Sequence, residues 1–163
     1  MGSELNMVKS SQGGFTLIEL VVVIVILGIL AAFAVPRFAR LDTQARISSV
    51  RAMEGTLRSG SALARSLWLA AGTSPGTVNM EGTNVTMTTG YPAPTAAGIG
   101  NTVAQGTIVG NNTPGRYVAN VVNATTIQYR LNGATDNTTC WVQYVWAGAA
   151  NASPNITTST GGC

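Results

Sequence analysis

The chain has 163 residues, of which 45% are hydrophobic and only 9% are charged, with a net charge of +3 and no histidine. Charged residues make up roughly 25% of a typical soluble domain, so this composition is unusual for one. Without histidine the chain lacks the commonest general base and the commonest metal ligand, and we predict no catalytic residues, no metal site and no cofactor.

The positive charge lies mainly between Arg37 and Arg65, where arginine recurs among small and apolar residues. A surface that binds nucleic acid is normally denser in charge and includes lysine. The arginine spacing is instead typical of the solvated face of a helix. Nucleic acid is therefore not a favoured partner.

Residues 1–14 are polar, carry Lys9 and end in two glycines, Gly13 and Gly14. We predict that they form a leader peptide that is cleaved from the mature chain. Translation from Met7 would give a shorter basic leader, and the sequence leaves the two starting points open.

Residues 15–36 form the predicted transmembrane and assembly helix. From Leu20 to Val35 no residue is charged or strongly polar. As a helix, the segment from Phe15 to Val35 would be about 31 Å long, which matches the ~30 Å hydrocarbon core of a bilayer. A cleavable secretory signal is the alternative, but it requires a small-residue cleavage site after the apolar run, and Ala-Ala-Phe-Ala before Pro36 is a weak one.

Gly28 and Pro36 interrupt this otherwise uniform segment. Proline lacks a backbone N–H and its ring clashes with the preceding turn, and glycine is a poor helix former. We therefore predict a kink or a loosened stretch of helix between these two residues.

Beyond Pro36 the helix becomes amphipathic and is predicted to continue to Ala71, since Gly72 and Pro75 follow as stop signals. Its apolar residues fall in two sets, from Phe38 to Ala45 and from Val50 to Leu67, and within each set they recur at spacings of three and four. They are Phe38, Leu41, Ala45, Val50, Met53, Leu57, Gly60, Ala64 and Leu67.

After Gly72 the hydrophobic period changes to two, which is typical of strands. The predicted strands are Val85–Thr88, Thr107–Val109, Arg116–Val122, Thr126–Leu131 and Cys140–Trp146. Residues 90–115 are predicted to be mostly loop, and residues 151–163 a polar tail. The fold class is therefore α+β, in which a long N-terminal helix packs against an antiparallel sheet in a head that comprises residues 37–163.

Cys140 and Cys163 are the two cysteines, so one intramolecular pairing is available. In an exported chain such a pair is expected to be a disulfide. The alternative, two reduced thiols in a cytosolic protein, conflicts with the membrane segment. A closed loop of about 24 residues contributes on the order of 3–4 kcal/mol to stability in the loop-entropy model.

Glu19 is an acid close to the start of the apolar segment. A charged side chain costs about 2.5–3.5 kcal/mol at the centre of a membrane helix, and less near its end. Cleavage after Gly14 would place the new amine of Phe15 one turn from Glu19. We predict that Glu19 pairs with the N-terminus of a neighbouring chain and sets the register of packed helices; the alternative is that it complements the helix dipole.

The motif Gly14–Glu19, the uncharged run and Pro36 resemble the N-terminus of type IV pilins. This resemblance implies the pilin fold, and a prepilin peptidase that cuts after Gly14 and methylates Phe15. It also implies a single-pass precursor in the inner membrane. A pilus assembly platform and a cytoplasmic ATPase would then extract the subunit into a helical homopolymer, the extracellular pilus.

The same motif is found in the pseudopilins of type II secretion systems. The positions of Cys140 and Cys163 resemble the disulfide-bounded C-terminal loop of pilins. Major pseudopilins instead bind calcium through an acidic loop, and the head here offers only Glu81 and Asp136. We therefore predict a structural subunit of a pilus for adhesion or motility, with a pseudopilin or a minor pilin as the alternative.

Two short segments, Gly90–Pro92 and Cys140–Tyr144, also resemble mannose-sensitive haemagglutinin pilins. That finer resemblance implies adhesion, with surface glycans as partners, and it assigns no binding residue.

Overall fold

The computed structural model describes residues 14–103 and 115–163, together with the backbone of a short strand at 108–109. It divides into two compact units with a boundary between Arg40 and Leu41. The described part of the N-terminal unit is helical from Leu17 onward. The C-terminal unit combines the rest of that helix with two β-sheets.

Helix α1 extends over Leu17–Ala71 and includes both Gly28 and Pro36. The predicted helix is therefore confirmed, with a start two residues later than expected. It ends where Gly72 takes a φ of 64°, the left-handed conformation that closes many helix C-termini. The kink between Gly28 and Pro36 stays a prediction.

The C-terminal unit contains a small and a larger β-sheet. The small sheet has the order β1-β2-β3, with strands Thr77–Met80, Thr83–Thr88 and Tyr91–Pro92. The larger sheet has the sequential order β4-β5-β6-β7-β8, with strands Ile108–Val109, Tyr117–Asn123, Thr126–Leu131, Cys140–Val145 and Asn155–Thr160. All strand pairs are antiparallel except β4 with β5. A short 3-10 helix, Ile99–Thr102, lies between the two sheets in sequence.

Most predicted strands are present, but residues 151–163, which were predicted to be a polar tail, include a strand. Asn155–Thr160 forms β8, which pairs along its whole length with β7. Ile156 is its buried apolar side chain, and the remaining residues are polar, so the alternation that indicates a strand is weak here. The strand β1 was also not predicted, and β3 and the 3-10 helix lie in the stretch that was predicted to be mostly loop. Of the predicted strand at 107–109, Thr107 lies outside the described residues.

The core forms where the central part of α1 meets the larger sheet. Val50, Met53 and Leu57 pack in one cluster with buried residues of β5 to β8, among them Tyr129 and Tyr144. This confirms the predicted stripe in the middle of the amphipathic segment. The prediction is wrong at its ends, because Phe38, Leu41 and Leu67 are exposed by 68%, 62% and 36% respectively.

Gly60 is a position where α1 allows no side chain. A Cβ atom placed there would lie 2.6 Å from Oγ1 and 3.0 Å from the carbonyl oxygen of Thr102. Gly55, on the same helix, has no atom within 4 Å of such a Cβ. The two glycines therefore provide a matched pair for testing how closely the 3-10 helix approaches α1.

We expect Gly60→Ala to lower the free energy of unfolding and Gly55→Ala to raise it. Alanine gains about 1 kcal/mol over glycine in a helix, but overpacking at Gly60 costs about 1–3 kcal/mol. Chemical denaturation of both full-length variants in detergent measures the difference. A stabilising Gly60→Ala would show that the 3-10 helix does not approach α1 this closely.

Candidate functional site

The N-terminal unit presents an almost fully exposed apolar surface. Phe15 is exposed by 91%, Leu17 by 80% and Leu30 by 60%, and most large apolar side chains between them are at least half exposed. By length and composition α1 could cross a membrane. Soluble monomers rarely expose contiguous apolar patches of more than a few hundred Å², so this surface requires lipid or other protein chains to cover it.

The start of α1 is closed by three reciprocal hydrogen bonds between Thr16 and Glu19. The backbone N–H and the hydroxyl of Thr16 donate to Oε2 of Glu19, at 2.9 and 2.8 Å. The N–H of Glu19 donates to Oγ1 of Thr16 at 3.3 Å. This is a capping box, whose sequence signature, threonine followed three residues later by glutamate, was present but not used in the prediction.

The cap leaves Glu19 able to make further contacts. Both hydrogen bonds from Thr16 end on Oε2, and within the described residues Oε1 accepts none. Within a single chain, Glu19 therefore caps its own helix terminus. The free Oε1 is still available for a second donor, so pairing with Phe15 of a neighbouring chain stays a prediction.

The C-terminal end of the head is closed by a disulfide between Cys140 and Cys163, whose Cα atoms are 4.9 Å apart. Both residues are buried in the main core cluster. The guanidinium of Arg46, on α1, donates to the carbonyl oxygen of Cys163 and to Oγ1 of Thr135, each at 3.2 Å. It also pairs with Asp42 at 2.7 Å. The disulfide-bounded segment is thus attached to both the sheet and the helix.

Asp136 organises the loop that precedes Cys140. Its Oδ1 accepts hydrogen bonds from the hydroxyl and the N–H of Thr138, at 2.6 and 2.9 Å, and its Oδ2 accepts one from Thr139 at 2.9 Å. Its own N–H donates to the carbonyl oxygen of Gly162 at 2.9 Å. The hydrogen bonds from Thr138 and Thr139 lower the pKa of the Asp136 carboxyl below its ordinary value.

Because the carboxyl has a lower pKa in the folded state, its contribution to stability is fully present above the unfolded pKa, about 3.9. That contribution is lost as the pH falls through the folded value. We expect Asp136→Asn to lower the Tm at neutral pH and to reduce the fall in Tm between neutral and strongly acidic pH. Thermal denaturation from neutral to strongly acidic pH measures this change in Tm, with Asn137→Ala as a control in the same turn. Parallel pH profiles of Asp136→Asn and the unchanged chain would contradict the assignment.

These features define a class of protein. A helix with an exposed apolar N-terminal part, an acid at its first turn and a β-rich head closed by a disulfide is the architecture of a subunit that is anchored in a membrane or packed in a filament.

Comparison with known proteins identifies the N-terminal segment more closely. Residues 9–35 match the family model of the prokaryotic N-terminal methylation motif. The type IV narrow pilus major component PilA5 of Thermus thermophilus is 57% identical over 51 residues, which cover 31% of this chain and 44% of that protein. The type IV major fimbrial protein FimA of Dichelobacter nodosus is 46% identical over 50 residues, 31% of this chain and 32% of that protein.

A type II secretion system protein is also similar. Core protein G of Aeromonas hydrophila is 47% identical over 55 residues, which cover 31% of this chain and 38% of that protein. The chain thus spans less than half the length of the relatives that it matches. No solved structure is significantly similar. The chain therefore carries the prokaryotic N-terminal methylation motif, and its N-terminal part is similar to type IV pilins. These comparisons do not test the finer resemblance to mannose-sensitive haemagglutinin pilins.

Proposed function

We propose that the chain is the structural subunit of a type IV pilus, which polymerises through α1 into a surface filament for adhesion or motility. The observation that carries this proposal is the exposed apolar surface of residues 15–35, with Glu19 at its start. Two of the relatives are named as major components of pili or fimbriae. The proposed role is accordingly structural rather than enzymatic.

The proposed path begins at the inner membrane. Residues 1–14 are removed by a prepilin peptidase, which also methylates the new N-terminal Phe15, and residues 15–36 hold the subunit in the bilayer. From Leu17 onward this segment is helical, so most of its backbone groups are satisfied by hydrogen bonds within the helix, as a membrane span requires. The head, residues 37–163, is the part that the filament would present outside, where surface glycans are candidate ligands.

Moving the helix from lipid to a filament core requires more than the hydrophobic effect. Lipid tails are as apolar as neighbouring helices, so close packing and specific polar contacts must favour association. Glu19 is the acid within the apolar segment and supplies such a contact with the amine of Phe15 of another subunit. The remaining work of extraction falls to an assembly platform and its cytoplasmic ATPase.

A pseudopilin of a type II secretion system is the second candidate, and the similarity to core protein G favours it. The Cys140–Cys163 disulfide of the head favours the pilus subunit. The two candidates differ in where the processed chain accumulates, because a pilus subunit is abundant on the surface of native cells and a pseudopilin is not.

The test is mass spectrometry of intact protein and N-terminal peptides from filaments sheared off native cells. We expect an abundant chain that begins at methylated Phe15 and is oxidised at Cys140 and Cys163. Gly14→Val should block processing, whereas Gly13→Ala should not. Processed chain confined to the membrane fraction would favour the pseudopilin, and an uncut chain in normal filaments would overturn the proposed processing.

A further inference from the structure

Glu81 stands at the tip of the hairpin that joins β1 and β2. Met80 pairs with Thr83, so Glu81 and Gly82 form the two-residue turn, with φ values of 49° and 84°. Positive φ at both positions is typical of a type I′ turn, which fixes the direction of the hairpin tip. The side chain of Glu81 is therefore presented to solvent from a well-defined turn.

Glu81 is also the one described acid whose side chain has no partner among the described residues. Each of the other described acids makes an ion pair or accepts a hydrogen bond. They are Glu19, Asp42, Glu54 and Asp136. The free carboxylate of Glu81 can therefore accept a cation from outside the chain.

The side chain of Arg65 is held in place by aromatic rings and a backbone carbonyl group rather than by an acidic residue. Its guanidinium lies 4.9 Å from the ring centroids of both Trp68 and Tyr91. It donates to the carbonyl oxygen of Gly90 at 3.0 Å, and within the described residues it makes no ion pair. A Cβ atom at Gly90 would collide with Nη1 of Arg65, so the glycine keeps the space that the guanidinium occupies.

The half-buried Arg65 lines a cleft of about 300 Å³ between α1, β3 and the segment before β8. The hydroxyls of Tyr91 and Ser153 form a hydrogen bond of 3.1 Å at its wall. Arg58 also lines the cleft, but Glu54 pairs with it at 2.7 Å. The cleft therefore carries one uncompensated positive charge beside two hydroxyls, a setting that suits a single carboxylate.

Glu81 cannot reach this cleft within its own chain. It lines a different cavity of about 700 Å³, on the side of α1 that includes Thr56 and Leu63. Arg58 and Arg65 occupy the other side of α1. At 3.6 residues per turn, the two sets of helix positions face about 160° apart.

We propose that Glu81 of one copy enters the Arg65 cleft of a second copy of this chain when the copies polymerise. This inference rests on the proposed function as a filament subunit. Glu81 and the Arg65 cleft lie on opposite flanks of one head, so the contact between two copies is heterologous. Each head can therefore bind one neighbour through Glu81 and a second neighbour through its cleft. Contacts of this kind propagate into helical filaments. The charge pair specifies which flanks meet.

The test compares filament yield from cells that express Glu81→Arg, Arg65→Glu or both. We expect each single variant to lower the yield by about tenfold, since like charges facing each other disfavour a contact. The double variant should recover most of the loss. The Tm of each full-length variant in detergent is measured in parallel, because Arg65→Glu also removes two ring contacts.

A second measurement does not disturb Arg65. With Glu81→Cys and Ser153→Cys in one chain, oxidation of sheared filaments should give a ladder of covalent multimers, whereas either single cysteine should not. Normal filaments without a ladder and without rescue by the charge exchange would overturn the proposal. A yield that falls with Arg65→Glu alone, at an unchanged Tm, would assign the cleft to another carboxylate ligand. Absence of filaments from the unchanged chain would instead overturn the proposed function.

Discussion

Replacing Glu19 with alanine is expected to abolish filament formation while leaving the amount of processed subunit in the membrane unchanged. The variant makes the apolar segment more apolar, so insertion has no reason to fail. In a filament core, however, the amine of Phe15 would lose its carboxylate. Removing one partner of a buried ion pair costs about 3–5 kcal/mol. A loss of that size at every subunit lowers assembly by more than about a hundredfold.

The capping box provides the control that separates two roles of Glu19. Thr16→Ala removes the hydroxyl that bonds to Glu19 but leaves the carboxylate and the backbone N–H of residue 16 in place. Loss of such a cap costs about 1 kcal/mol. If Glu19 acts between chains, Thr16→Ala should still assemble, and Glu19→Gln should be intermediate because it retains an acceptor without the charge.

Filament yield by electron microscopy and immunoblotting of sheared and membrane fractions measures these outcomes. Equal defects in Thr16→Ala and Glu19→Ala would show that Glu19 serves mainly its own helix terminus. Normal piliation in Glu19→Ala would refute the role in assembly altogether.

The sequence predicted best where one strong physical signal decided the structure. The uncharged run and the apolar stripe at Val50, Met53 and Leu57 lie on a helix too long to be a strand. The alternating residues of β6 and β7 include Tyr129 and Tyr144, which are buried. Periodicity reports which face of an element is apolar. It therefore located α1 and the central sheet well.

Periodicity does not report what covers an apolar face, and this is why the ends of the stripe were wrong. Phe38, Leu41 and Leu67 continue the pattern yet stay exposed in a single chain. The strand β8 was missed for the opposite reason. Its threonines and serines carry little apolar signal, and it is held by backbone pairing to β7 and by the nearby disulfide at Cys163.

The candidate sites divide in the same way. Glu19 could be found from sequence because an acid in an apolar run is unusual. Arg65 and Glu81 could not, because a lone arginine on a helix face and a lone acid in a turn are ordinary in sequence. They become candidates only in the structure, where neither side chain makes an ion pair within the described residues. The cleft beside Arg65 also depends on the fold, because Gly90 and Tyr91 pack against α1 there.

Removing the disulfide is expected to have the largest effect on the stability of the head. With alanine at both Cys140 and Cys163, we expect the free energy of unfolding to fall by about 2–5 kcal/mol. Alanine is preferred to serine because both sites are buried, and a hydroxyl there would lack a partner. In a head of this size the loss corresponds to a decrease in Tm of about 10–20 °C.

The structure indicates that removing the disulfide destabilises more of the head than the loop that the disulfide closes. Cys140 begins β7, and Cys163 follows β8 and accepts the hydrogen bond from Arg46, so the disulfide holds the edge strand against both its neighbour and α1. Thermal denaturation of the full-length chain in detergent, with Thr157→Ala on β8 as the control, measures the effect. Reduction of the unchanged chain should reproduce the low Tm of the double variant. If the Tm changed by no more than in the Thr157→Ala control, the hydrogen bonds of β8 and Arg46 would suffice to hold the C-terminal segment without the covalent link.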